Sequence, residues 1–173
     1  MLRTPKDLNF AVPNRLSNQR HIQARRDKGL LEGIVEKGKT PKAGISYKYD
    51  SKNSLLYVAS AILEFDAGLR MNEAFDIMRT MITDYGLARL LNAEYSTWVT
   101  QVDNGKYEVL CQSAAGFDCE PLPVTSEVFS QLICAKALNI TLTVQRAIEG
   151  LNMSESELAE LVKNNKPMVE GCN

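Results

Sequence analysis

Histidine occurs once in this chain, at position 21, so the residue that most often acts as a general acid or base near neutral pH is scarce. Cysteine occurs four times, but no two cysteines form a Cys-x-x-Cys pair. Tetrahedral zinc needs ligands at short spacing, and disulfide frameworks are typical of small secreted domains. The sequence therefore predicts no metal, no cofactor and no disulfide framework; the thiols are Cys111, Cys119, Cys134 and Cys172.

Long apolar runs are also missing. The longest run, Leu55–Phe65, is interrupted by Ser60 and Glu64 and falls short of the roughly 20 residues that a membrane-spanning helix needs. No apolar stretch follows the first basic residue, so no signal peptide is expected. We expect a protein without membrane contact that resides in the cytoplasm or within an assembled particle.

Charge is distributed unevenly along the 173 residues. Residues 1–48 contain 11 Lys or Arg and four acidic residues, whereas the remainder contains nine basic and 17 acidic residues. The whole chain carries a net charge of only −1, so the imbalance is internal. This asymmetry predicts that the N-terminal region binds an acidic target, which is nucleic acid, a partner protein or a neighbouring copy.

The charge division predicts two parts of the chain. Residues 1–44 are expected to form a basic N-terminal arm, and residues 45–173 a compact α+β domain. Within the arm, Pro5 and Pro13 are expected to keep residues 1–16 extended, because proline disrupts the interior of a helix.

The rest of the arm is expected to be a helix from an N-cap at Ser17 to about Lys37, followed by a flexible basic linker to Gly44. The helix is basic in its first half and apolar in its second half. The residues predicted to contact nucleic acid or an acidic partner are Arg15, Arg20, Arg25, Arg26, Lys28, Lys37, Lys39 and Lys42. The residues predicted to dock on a partner are Leu8, Phe10, Val12, Leu30, Leu31, Ile34 and Val35.

The strongest local signal is Asn104-Gly105, flanked on both sides by strand-like segments. Asn-Gly is the preferred pair for a two-residue type I′ turn, because both central residues need positive φ. The sequence therefore predicts a β-hairpin over about residues 95–112 in which opposing residue numbers sum to 209. Trp98 then lies opposite Cys111 on an apolar face.

Other elements are expected to extend and cover this hairpin. Ile45–Asp50 and Ile140–Val144 are the candidate third and fourth strands. The capping box Ser154-x-x-Glu157 predicts the start of the last helix. The order of elements indicates an α+β fold, a small antiparallel sheet packed against several helices. The helices are expected over about residues 53–67, 72–86, 126–138 and 155–163.

One segment matches a nucleotide-binding pattern. Gly33–Thr40 fits G-x-x-x-x-G-K-[ST], in which a loop between a strand and a helix holds phosphates. Pro41 follows directly, and a basic helical stretch precedes the segment where an apolar strand is needed. We interpret the segment as the end of the arm helix and its linker.

Catalytic constellations are not found in the sequence. Glu73 with Asp76 and Glu157 with Glu160 are spaced at i, i+3, which places each pair on one helix surface. Carboxylates in such pairs are normally solvated and not catalytic, so we do not expect an enzyme.

We expect a non-enzymatic structural or accessory subunit of a larger assembly, such as a virus particle or a multi-protein complex. Its N-terminal arm would dock on other subunits, identical or different. The alternative is a small nucleic-acid-binding or regulatory protein whose basic arm contacts phosphates. No aromatic residues are interleaved among the basic residues of the arm, which disfavours base stacking.

Overall fold

The computed structural model of this chain describes residues 1–13, 19–36, 46–92, 95–102, 106–113 and 137–165. Helices in these ranges are α1 (Pro5–Ala11), α2 (Gln19–Asp27), α3 (Ser51–Ala67), α4 (Met71–Thr80), α5 (Leu87–Leu90), α6 (Ile140–Gly150) and α7 (Glu155–Asn164). A π-helical segment, Met81–Gly86, joins α4 to α5. The strands are β1 (Ile34–Glu36), β2 (Ser46–Lys48), β3 (Tyr95–Val102), β4 (Lys106–Ser113) and β5 (Ala137–Asn139).

The strands form two small antiparallel sheets. One contains β1 and β2, and the other has the order β4-β3-β5 with β3 in the centre. Helices make up most of the described chain, and α6 packs on β3. The predicted α+β class is therefore confirmed, with a small antiparallel sheet against several helices.

Helix α3 runs through the core and packs against α1, α4 and α6. All its side chains from Leu55 to Leu63 are buried, which is the pattern of a helix surrounded by other elements. The Asp50 carboxylate caps its start by accepting a hydrogen bond from the Asn53 N–H at 2.7 Å. Gly68 ends the helix at φ 64°, a conformation that glycine adopts without steric cost. The helix predicted over residues 53–67 is confirmed and begins two residues earlier.

The N-terminal residues belong to the same core. Leu8, Ala11 and Val12 from the first segment, with Ile22 and Leu31 farther on, are each at most 3% exposed. The chain from Arg3 onward therefore packs as part of the folded body where it is described, and an extended arm is not observed.

The prediction that residues 1–16 are extended is wrong over Pro5–Ala11, which is helix α1. Proline at the first position of a helix has no N–H that needs a partner, and its φ angle already suits a helix. Thr4 and Asp7 complete a capping box, with the Asp7 carboxylate accepting a hydrogen bond from the Thr4 N–H at 2.8 Å.

The helix predicted over residues 17–37 is shorter than expected, because α2 ends at Asp27. Gly29 adopts φ 68° in the turn that follows, and the chain then extends into β1. Two glycines weaken a helix here, while the β-branched pair Ile34 and Val35 suits a strand. The strand conformation of β1 also differs from the loop that a phosphate-binding motif needs between strand and helix. Residues 37–45 lie outside the described ranges.

The predicted hairpin exists, but its register is wrong by one residue. Opposing residue numbers sum to 208, so Trp98 lies opposite Leu110 and three residues separate the paired ends Val102 and Lys106. A one-residue change of register reverses the two faces of a strand. The face that packs inward carries Thr97 and Val99, both buried.

The predicted third and fourth strands of this sheet are wrong. Residues 46–48 do form a strand, but it pairs with β1 in the separate sheet. Residues 140–144 belong to α6, whose N-cap Asn139 accepts a hydrogen bond from the Leu142 N–H at 2.9 Å. The third strand is β5, which pairs with β3. The predicted helix over residues 126–138 lies largely outside the described ranges, and its last two residues are in β5.

Two further predicted helices are found, although the first of them begins at Met71 with Arg70 as its N-cap, and not after an N-cap at Asn72. The segment predicted over residues 72–86 is helical as α4 and the π-helical turn. Helix α7 begins after Ser154, whose hydroxyl accepts a hydrogen bond from the Glu157 N–H at 3.2 Å. Among the described helices, none is both long and apolar enough to cross a membrane.

Candidate docking surface

Exposed apolar side chains concentrate near the N-terminus. Among the described residues, six large hydrophobic side chains are exposed, and five of them lie in the first 36 positions. These five are Met1, Leu2, Phe10, Ile34 and Val35, and the sixth is Leu142 in α6. Single exposed hydrophobic residues are ordinary, whereas a contiguous apolar patch indicates an interaction surface.

Ile34 and Val35 are consecutive residues of β1, and the surface formed by β1 at this position is called the β1 edge. Their side chains are 49% and 52% exposed. Successive side chains of a strand point to opposite faces, so both faces of β1 present an apolar group to solvent. β2 is the only strand paired with β1 in the described ranges, with Ile34 opposite Lys48 and Val35 opposite Tyr47.

The backbone of β2 determines which groups of β1 point outward. The Tyr49 N–H and carbonyl both bond to Arg3, at 2.9 and 2.8 Å. Because bonding groups alternate sides along a strand, those of Tyr47 face away from β1, and those of Lys48 face toward it. Val35, opposite Tyr47, therefore directs its N–H and carbonyl toward the outer side of β1, away from β2.

Aromatic side chains support the β1 edge from the neighbouring strand. The Arg26 guanidinium lies 3.9 Å from the centre of the Tyr47 ring, a cation–π contact that connects α2 to β2. A Cβ atom at Gly33 would lie only 3.0 Å from the Tyr49 ring and 3.1 Å from the Tyr47 ring. Glycine at position 33 therefore lets β1 approach the two rings closely. Burial raises the pKa of the Tyr49 phenol.

The residues predicted to dock on a partner divide into two groups. Leu8, Val12 and Leu31 are buried in the core, and Leu30 is half-buried, so the first three offer no surface to a partner in this structure. Phe10, at 59% exposure, joins Ile34 and Val35 in the exposed group. The Lys6 ammonium lies 5.9 Å from the centre of the Phe10 ring. The docking role of the exposed group stays a prediction.

The predicted basic contact residues are also divided. Arg25 is only 1% exposed; it forms an ion pair with Glu64, and its guanidinium lies 5.0 Å from the centre of the Tyr57 ring. A buried, paired guanidinium is unavailable to a phosphate. Arg20 and Lys28 are exposed, and Arg26 is half-buried. The described ranges do not include Arg15, Lys37, Lys39 and Lys42.

Sequence reasoning missed the ion pair that holds the N-terminus to the last helix. Arg3 Nη1 and Nη2 donate to the Glu157 carboxylate at 2.6 and 2.9 Å, and the Ser51 hydroxyl donates to the same carboxylate. Hydrogen bonds from Arg3 lower the pKa of Glu157 to about 2, against the opposing effect of burial.

The expectation that Glu157 lies on a solvated helix face is wrong, because its side chain is 9% exposed. The capping-box pattern indicated only a local role for this residue. Arg3 and Glu157 are 154 positions apart, so no local pattern connects them.

Within the described ranges, no group of three His, Cys, Asp or Glu side chains is placed to hold a metal ion. A scan against protein-family models finds no match, and a search of curated proteins finds no similar sequence.

Proposed function

We propose that the protein is a non-enzymatic structural or accessory subunit of a larger assembly, in the cytoplasm or within a particle. It docks on other subunits through exposed apolar residues of its N-terminal region. The observation that carries the proposal is the concentration of exposed large hydrophobic side chains in residues 1–36, with Phe10, Ile34 and Val35 about half exposed or more. Exposed apolar groups on ordered elements are the usual anchors of protein interfaces.

The nucleic-acid alternative has weaker support. Arg25, one of the predicted basic contacts, is buried and forms an ion pair with Glu64. Arg20 and Lys28 are exposed and give a modest positive surface. Salt-dependent phosphate binding needs several such groups acting together, and the predicted contacts Arg15, Lys37, Lys39 and Lys42 lie outside the described residues.

The test is a native-mass measurement on protein isolated at low salt from the cells that naturally make it, before and after nuclease treatment. The protein is isolated through an affinity tag fused to its C-terminus, because Arg3 near the N-terminus is buried. We expect a discrete mass well above the 19.3 kDa of one chain, unchanged by nuclease.

Two variants test whether the exposed apolar residues of the N-terminal region hold the complex together. Phe10→Ser combined with Ile34→Thr reduces apolar exposure in the N-terminal region, and Leu142→Ser makes a similar change on α6. The first should release the protein from its complex, and the second should leave the complex intact. A 19.3 kDa species in every preparation would contradict the proposal. A complex that nuclease converts to this species would favour the alternative.

A further inference from the structure

We propose that two copies of this chain pair through the outer edge of β4, antiparallel to each other about a two-fold axis at Leu110. The β4 edge is the side of β4 (Lys106–Ser113) that faces away from β3. It involves none of the N-terminal docking residues, so the inference goes beyond the proposed function.

Hydrogen bonding in β3 shows how the backbone groups of this sheet alternate. The strand order is β4-β3-β5, so β4 and β5 lie on opposite sides of β3. The Thr97 N–H donates to the Thr141 hydroxyl oxygen at 2.8 Å, and Thr141 follows shortly after the end of β5. The backbone groups of Thr97 therefore face the β5 side. Because bonding groups alternate along a strand, the even-numbered residues of β3 bond to β4.

The hairpin register transfers this alternation to β4. Opposing residue numbers sum to 208, so the even-numbered residues of β4 bond to β3. In the described ranges, no strand pairs with β4 on its other side. An open edge of eight residues is a template for pairing with another chain. The residues that direct their N–H and carbonyl groups outward are Tyr107, Val109, Cys111 and Ser113.

A two-fold axis at Leu110 gives every one of these outward groups a partner. Val109 then forms a hydrogen-bonded pair with Cys111 of the second copy, and Tyr107 forms one with Ser113. The same pairs recur on the other side of the axis, as two-fold symmetry requires. Each pair exchanges both an N–H and a carbonyl, so the two strands bond over their whole length.

The sequence also places an apolar position at the axis. By alternation, positions 98 and 110 lie on the sheet face opposite to that of Thr97 and Val99, which are buried. Residues opposed in a non-hydrogen-bonded pair lie closest together. The axis therefore brings two leucine positions together, each beside its own Trp98. The other β4 residues on this face are polar, namely Lys106, Glu108 and Gln112.

Charge supports a second copy and this register. β4 contains one lysine and one glutamate, so the edge selects neither an acidic nor a basic segment. With the axis at Leu110, Glu108 lies opposite Gln112 of the second copy, and no like charges are opposed. An axis at Glu108 would oppose two glutamates, and an axis at Val109 would set Leu110 opposite Glu108.

The experiment uses the purified full chain in reducing buffer. Sedimentation equilibrium over a concentration series should give twice the 19.3 kDa of one chain at high concentration and a single chain on dilution. Amide hydrogen exchange followed by NMR tests the strand pairing. On dilution, the amides of Val109 and Cys111 should exchange about tenfold faster or more, whereas the amide of Leu110, which bonds to β3, should change far less.

Two matched substitutions at Gln112 test the register. This position lies opposite Ser96 within the hairpin and opposite Glu108 across the proposed axis. Gln112→Lys should tighten the dimer and Gln112→Glu should weaken it, with dissociation constants that differ by about fivefold or more. Both variants add one charge at the same position, so a general effect of charge on the hairpin is common to them.

Val109→Pro tests the hydrogen bonds themselves. Proline removes an N–H that points outward and that β3 does not use, and edge strands tolerate proline on that side. The variant should remain a single chain at every concentration. If it does not fold, Leu110→Lys replaces it, because two lysines would then oppose each other at the axis while the backbone groups stay in place.

Three results would overturn the inference. These are a single chain at every concentration, a dimer whose Val109 and Cys111 amides are unprotected, and equal dissociation constants for the two Gln112 variants. None of them touches the proposed function, which is tested on the complex from the natural source with the Phe10 and Ile34 substitutions. A β4-paired dimer would likewise survive the failure of that docking test.

Discussion

Arg3 and Glu157 form a bidentate ion pair that joins the start of the chain to its last described helix. The Nη1–Oε1 and Nη2–Oε2 distances are 2.6 and 2.9 Å. Both side chains are less than a tenth exposed. The pair holds the first residues of the chain against α7, while the backbone of Arg3 bonds to Tyr49 beside β2.

Loss of Arg3 should destabilise the fold strongly. Arg3→Ala leaves the Glu157 carboxylate buried without its main donor, and breaking a buried pair typically costs about 3–5 kcal/mol in the free energy of unfolding. Urea unfolding followed by circular dichroism measures the change. Arg79→Ala is the matched control, because Arg79 pairs with Asp76 at 3.1 Å in an exposed pair. The control should cost less than about 1 kcal/mol. Equal losses in the two variants would contradict the structural role of Arg3.

Glu157 should make stability depend on pH. Its pKa falls from an ordinary value of 4.5 to about 2 in the folded chain. The stabilisation is therefore present above about pH 5 and is lost as the pH falls toward 2, with a full size of about 3 kcal/mol.

The Glu157→Gln variant lacks this pH-dependent stabilisation. Between about pH 5 and about pH 3, the free energy of unfolding of the variant should therefore decline less than that of the unchanged protein. The pKa of Asp7 is also lowered, by hydrogen bonds from Thr4, but this contribution is common to both proteins. Parallel declines in the two proteins would show that Glu157 is not the responsible group.

Gly150 should be required for the packing of α1 on α6. A Cβ atom at this position would lie 2.2 Å from the carbonyl oxygen of Ala11, a distance that forces the helices apart. Gly150→Ala should cost about 1–3 kcal/mol in the free energy of unfolding, as overpacking usually does. Glu149→Ala, at an exposed position beside it, should change stability by less than about 0.5 kcal/mol. A neutral Gly150→Ala would show that α1 does not pack as described.

Arg25 should act on stability, whereas Lys28 should not. Arg25→Ala removes the buried partner of Glu64, with an expected loss of about 3 kcal/mol in the free energy of unfolding. Lys28→Ala, at an exposed position, should stay within about 0.5 kcal/mol of the unchanged protein. Thermal and urea unfolding distinguish the two. A stable Arg25→Ala protein would return Arg25 to the set of possible phosphate contacts.

Arg25→Glu is consequently unsuitable as a test of nucleic-acid binding, because loss of binding would then report loss of the fold. Arg20→Ala combined with Lys28→Ala is the appropriate variant. A salt-sensitive shift of RNA or DNA that this variant abolishes would support the nucleic-acid alternative.

The sequence by itself determined the elements whose signals are local. The α+β class, helix α3 with its glycine end, the existence of the 95–113 hairpin and the start of α7 all depend on caps, turns and alternation within a few residues. Ile34 and Val35 were also identified as apolar candidates for docking, but in a helix.

Tertiary structure decided the rest. The hairpin register follows the burial of Thr97 and Val99 against other elements, and the preferred turn pair did not determine it. The same is true of the N-terminal region, where Pro5 and Pro13 predicted an extended segment over residues 1–16, but helix α1 forms there and α1 and α2 contribute Leu8 and Ile22 to the core. The partners of Arg3 and Arg25, Glu157 and Glu64, lie 154 and 39 positions away, and only the packing of the helices brings these charges within bonding distance.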